Sequence, residues 1–170
     1  MHGGPGTRQP GEVQMDNPDQ LYAELKPEVQ SLADLLFGAS EFLLRKRGSF
    51  LPQGAVLTEQ GETRLIMGMP EGFEGRLVSS VEVLPVLHEA LRAAVREGGV
   101  RAVAVCEDVT ITPENQKATC AIKVLVEHSR GLCVGLYLPY RRKILGGYAI
   151  GDMFARSAPS EVLAWGMGSR

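Results

Sequence analysis

Three apolar runs in the second half of the chain, Val100 to Ile111, Ala118 to Glu127 and Leu132 to Tyr140, are separated by turn-forming residues at Thr112 to Lys117 and Ser129 to Gly131. Runs rich in Val, Ile, Leu and Ala broken in this way predict a three-stranded antiparallel meander. Alternation along a strand sorts each run into two faces. In the first run Val103, Val105, Val109 and Ile111 oppose Ala102, Ala104, Cys106, Asp108 and Thr110. In the second, Cys120, Ile122, Val124 and Val126 oppose Thr119, Lys123 and Glu127. The third divides Leu132, Val134, Leu136 and Leu138 from Cys133, Gly135 and Tyr137. One face is a core; the face of small and mixed residues suits solvent or partial cover by a helix.

Helical spacing dominates the first half. Leu21, Leu25, Val29, Leu32, Leu36, Leu43 and Leu44 recur after Asn17, a capping residue followed by Pro18 and, three residues on, by Gln20. Gly48 is the expected stop, and Pro27 either kinks the helix or divides it, with the longer part from Glu28 to Arg47. Ala55 to Thr58 and Thr63 to Met67 flank the polar turn Glu59 to Glu62 and predict a hairpin. Gly68 to Leu77 is a glycine-containing loop carrying an exposed Phe73. Ser79 with Glu82 then forms a capping-box pattern ahead of the stripe Leu84, Leu87, Leu91 and Val95, closed by Gly98 and Gly99. A start nearer Glu82, with Pro85 in the first turn, is the alternative. After Tyr140, the stretch Lys143 to Met153 is a loop returning as a short strand or a one-turn helix, and Ser160 to Trp165 is an edge strand or packed tail, with Trp165 expected to dock on the core.

The order α-β-β-α-β-β-β plus a mixed C-terminal segment predicts an α+β domain: a mainly antiparallel five-stranded sheet with helices packed on it. This element order looks like that of profilin-like and roadblock-like domains, a likeness that carries no function with it. Residues 1–14, with four glycines and two prolines, read as a flexible tail, and residues 15–170 as one domain.

Composition removes several function classes. A net charge of -2 gives no reason to expect nucleic-acid binding, and the basic clusters Arg45 to Arg47 and Arg141 to Lys143 read first as solvated ends of elements. No apolar run reaches the roughly 18 residues of a membrane span, and the N-terminus lacks the pattern of a signal peptide. Cys106, Cys120 and Cys133 all fall within predicted strands, and the expected pairing sets Cys106 near Lys123 and Cys133 near Val126. Free thiols in a reducing, cytoplasmic setting follow, with no metal site and no cofactor.

Two stretches resemble a family of small bacterial proteins to which no activity attaches. One is Gly48 to Glu62, with Phe50, Pro52, Gly54 and Ala55; the other comprises Asp108, Ala121, Ile122, Val124, Glu127, His128 and Gly131, ending in Leu138, Pro139 and Tyr140. This chain has Cys120 where that pattern carries an acidic residue.

Candidate chemistry is sparse. Glu127 and His128 are an acid and an imidazole adjacent at the end of the central strand, and with Asp108 they are the residues of a small hydrolase or transferase at the sheet edge. Strand neighbours point to opposite faces, so the pair shares a site only where the strand ends or bulges. Glu107 and Asp108 are separated by the same rule. Cys120 and His128 share a face but lie about 26 Å apart along a strand. Gly146, Gly147 and Gly151 form a glycine-rich loop without the lysine and hydroxyl ending of a phosphate loop. Tyr140, Arg141, Arg142 and Lys143 remain as the first choice for a partner contact, because tyrosine and arginine are favoured at binding hot spots. The sequence therefore reads as a non-catalytic module that binds or regulates another protein, an immunity factor in one version. Homo-oligomerisation is a further expectation, and neither nucleic acid nor membrane is an expected partner.

Overall fold

The computed structural model describes residues 17–163. The expected tail at residues 1–14 and the expected docking of Trp165 lie outside that range. Helix α1 (Pro18–Arg47) begins at Asn17, whose side-chain oxygen accepts from the Asp19 amide at 3.0 Å. It runs unbroken through Pro27. The proline is exposed, and so is Ala23, whose carbonyl loses its helical donor and faces water. The helix ends at Gly48, whose φ of 77° is the left-handed conformation that glycine tolerates best and whose amide donates to the Leu44 carbonyl at 2.8 Å.

Strands β1 (Gln53–Thr58) and β2 (Thr63–Ile66) form the expected hairpin, and helix α2 (Ser80–Glu97) follows. The Glu82 carboxylate accepts from both the Ser79 amide and hydroxyl, at 2.9 and 3.1 Å, which anchors the first turn of α2. Pro85 is accommodated inside the helix, again on an exposed face. Strands β3 (Val100–Ile111), β4 (Thr119–His128) and β5 (Cys133–Arg142) make the meander. Two short strands were not resolved by pattern alone: β6 (Tyr148–Ile150) and β7 (Phe154–Ser157) both pair with β5, at its two ends.

The five-stranded sheet thus becomes an antiparallel sheet of seven strands, ordered β2-β1-β3-β4-β5-β6 with β7 also on β5. Strands of three and four residues hold too few alternating positions to stand out from a glycine-rich stretch. The pairing is also one residue from that expected: Cys106 lies opposite Val124 and Cys133 opposite Glu127. The β4–β5 turn takes Leu132 as well as Ser129 to Gly131, closed by the His128 amide on the Leu132 carbonyl at 2.8 Å.

A helix covers each face of the central strands of the sheet. Helix α1 covers the small-residue face of β3: Leu25, Val29, Leu32, Ala33 and Leu36 pack with Ala102, Ala104 and Cys106 and with Ile122, Val124 and Val126 of β4. Of the two expectations for the small face, solvent or cover by a helix, the structure has the second, because alanines let a 30-residue helix approach closely where larger side chains stand on the neighbouring strand. Helix α2 covers the valine face through Leu87 and Leu91 against Val56, Val103 and Val105. Each of these leucines contributes about 1.5–3 kcal/mol through burial.

One glycine sets the seating of α2. A Cβ on Gly68 would stand 2.5 Å from the Leu87 amide nitrogen and 2.6 Å from its Cα, so the loop leaving β2 touches the backbone of α2 directly. The obstacle is backbone and cannot rotate away. Gly68→Ala is expected to destabilise the fold by about 1–3 kcal/mol, measured as a lower urea midpoint, whereas Gly72→Ala, with open space around it but a φ of 71°, carries only the cost of backbone strain.

Candidate functional site

The three residues with the most chemical potential are placed apart. Glu127 lies on the α2 side of β4, level with Val103 and Cys133, while His128 is level with Ala102 on the α1 side. Asp108 pairs with Ile122, and the distance along β4 from Ile122 to His128 is about 20 Å at roughly 3.3 Å per residue. No common point lies within reach of all three.

Glu127 is almost wholly buried and its carboxylate is fully used. It accepts from the Ser160 hydroxyl at 2.5 Å and from the amides of Glu161, Val162 and Leu163 at 3.1, 2.8 and 2.8 Å. The Arg92 guanidinium of α2 takes the Val162 carbonyl at 2.8 Å from the other side, and Val162 itself is buried against α2. A carboxylate met by several N–H and O–H donors is a strong, charge-assisted anchor. Here it holds the segment 160–163 across the sheet rather than waiting on a substrate.

His128 is likewise bound up. Its Nδ1 accepts from the Arg130 amide at 3.1 Å, which leaves the proton on Nε2 to face Glu28 of α1, 3.1 Å away. The second oxygen of Glu28 receives the Arg101 guanidinium at 2.6 Å, and Arg101 also donates to the carbonyls of Thr58 and Glu59. Burial lowers the His128 pKa, opposed by Glu28 and assisted by Arg130 and Arg101. The linked groups fasten α1 to the ends of β1, β3 and β4. At the far end of the same face, Asp108 accepts from the buried Tyr140 hydroxyl at 2.7 Å. Glu107 sits on the opposite face beside Lys123, with burial raising its pKa.

The cysteines are free and differ in environment. Cys106 is buried against the Ser40 hydroxyl, 3.0 Å away, and burial pushes its thiol up to about 12. Cys133 is half-buried and also pushed to about 12, by burial and then by Glu127 and Glu161. Cys120 is exposed. Among the described residues no group of three or more His, Cys, Asp or Glu side chains is arranged to hold a metal ion.

The basic corner is built differently. Tyr140 turns inward to Asp108, but Arg141, Arg142 and Lys143 are all exposed where β5 enters the turn to β6. Arg142 contacts the Gly48 carbonyl at 3.4 Å and the Tyr148 hydroxyl at 3.3 Å, so the hairpin rests on the end of α1. That end carries Arg45, Lys46 and Arg47. An open depression of about 590 Å³ lies between the two elements, lined by Leu44, Arg45, Gly48, Arg142, Lys143 and Ile144. Two residues of the Lys143 to Met153 stretch that the sequence did not assign to a site complete the corner: Ile144 and Leu145, at 102% and 100% exposure, form the tip of the turn. Their signal was two aliphatics at turn positions that ordinarily favour Gly, Asn, Asp or Ser.

The chain matches no protein-family model, no curated protein and no solved structure. Glu127, His128 and Asp108 are joined to structural partners, the buried Gln53 Nε2 and His88 Nε2 have none among the described residues, and the basic corner faces solvent.

Two outcomes follow from the polar geometry. Glu127→Ala is expected to cost on the order of 2–4 kcal/mol, since it strips the buried Val162 amide and three part-buried donors of their acceptor, and to open residues 160–163 to limited proteolysis. Thiol labelling of the native protein with iodoacetamide at neutral pH is expected to modify Cys120 first, with Cys106 reacting only after denaturation.

Proposed function

We propose that the chain is a non-catalytic binding module whose contact surface is the corner where the β5–β6 turn rests on the C-terminal end of α1. The observation that carries this reading is the contrast between the two kinds of polar residue. Glu127, His128, Asp108 and Cys106 each have a close structural partner, at 2.5–3.1 Å. Arg141 and Lys143 have no carboxylate partner among the described residues, and they flank a fully exposed apolar tip. A cationic rim around apolar side chains supplies charge for encounter and apolar area for retention. Nothing in the placement of Glu127, His128 and Asp108 favours the alternative of a hydrolase or transferase.

The test uses the full chain and the double substitution Arg141→Glu with Lys143→Glu, at residues that are exposed and that bond to the fold through their main chains. Immobilised wild type and variant, matched by thermal melt, are exposed to extract of the cells that make the protein. The protein or lipid held by the wild type is expected to be lost from the variant. Identical material on both would overturn the assignment of the surface.

A further inference from the structure

Resting on the corner as the contact surface, the chemistry of its occupant can be narrowed. The turn is closed without help from Ile144 or Leu145: the Lys143 amide donates to the Gly147 carbonyl at 2.9 Å, the Gly146 amide to the Lys143 carbonyl at 3.2 Å, and Gly146 and Gly147 take the positive φ values of 95° and 78°. Neither aliphatic side chain buries any surface in the fold. Both are placed where they can only meet something external.

The cations surround this tip rather than lie to one side of it. Arg141 and Arg142 are consecutive strand residues and point to opposite faces of the hairpin, Lys143 enters the turn, and Arg45, Lys46 and Arg47 close the α1 side. Six of the 18 Lys and Arg residues of a chain with net charge -2 are thus gathered at one end of the sheet. Glu41 is paired with Arg45 at 3.9 Å and offsets one of them. Lys46 lies 5.5 Å from the ring of Phe42, a further exposed apolar group on the same helix end.

We infer that this corner docks on an anionic lipid bilayer, with Ile144 and Leu145 entering the boundary between headgroups and acyl chains and the cations around them meeting lipid phosphate and carboxylate groups. Two fully exposed aliphatic side chains at the tip of a closed turn suit insertion into the apolar boundary of a bilayer, which needs no preformed complement of fixed shape. Cations distributed on several sides of the tip are all satisfied together by a planar surface of like negative charges. The docking is peripheral: no described helix is long and apolar enough to cross a membrane.

The experiment is co-sedimentation of the full chain with vesicles of phosphatidylcholine alone and of phosphatidylcholine with phosphatidylserine, at low and at physiological salt. Binding is expected to the phosphatidylserine vesicles only and to weaken as salt rises. Neutralising Arg141 and Lys143 to Gln is expected to reduce partitioning about thirtyfold, at about 1 kcal/mol per cation. Ile144→Ser with Leu145→Ser is expected to reduce it about tenfold or more at unchanged melting temperature. Equal binding to both vesicle types, or binding indifferent to the tip substitutions, overturns the inference. No vesicle binding also overturns it; capture of a soluble protein that still depends on Arg141 and Lys143 would then leave the binding-module reading standing, and loss of both would end both.

Discussion

The seating of α1 on the small-residue face of the meander is the contact on which the rest of the architecture depends. Ala102, Ala104 and Cys106 on β3 keep that strand low, while Ile122, Val124 and Val126 on β4 rise beside it to meet Leu25, Val29, Leu32 and Leu36. Close packing of this kind has little tolerance for added volume. It also fixes where the ends of the helix fall. Its third turn brings Glu28 to His128 and Arg101, and its C-terminal end brings Gly48 and the basic last turn to Arg142. The interior tether and the exposed corner are thus two consequences of one helix lying along the sheet.

Much of this was legible in the chain as written. The helical stripe from Leu21, the hairpin about Gly61, the Ser79–Glu82 start of α2 and the three long strands all follow from local spacing, and the structure has each of them. What local spacing does not carry is tertiary cover. The alanine face of β3 looked half-solvated because small residues read alike whether they meet water or a close helix. Pro27 looked like a kink or a division, and the helix is not divided there: the missing donor is visible in the sequence and the exposure of Ala23 is not. The register moved by one because turn length decides it, and Leu132 belongs to the turn.

The polar residues were misread in a more informative way. Glu127 and His128 attracted notice as an acid beside an imidazole, and strand alternation correctly set them on opposite faces. Their partners, the amides of 161–163 and the carboxylate of Glu28, are 34 or more positions away in the chain, so no motif announces them. Ile144 and Leu145 were not assigned to a site for the converse reason. Each is an ordinary residue type, and only complete exposure on a closed turn distinguishes it.

The capture of residues 161–163 by Glu127 is made almost entirely through main-chain amides. Amides are common to every residue except proline. Glu127 therefore dictates the route that this stretch takes while remaining indifferent to most of its spelling, so that one glutamate can hold a succession of different C-terminal passages in the same place.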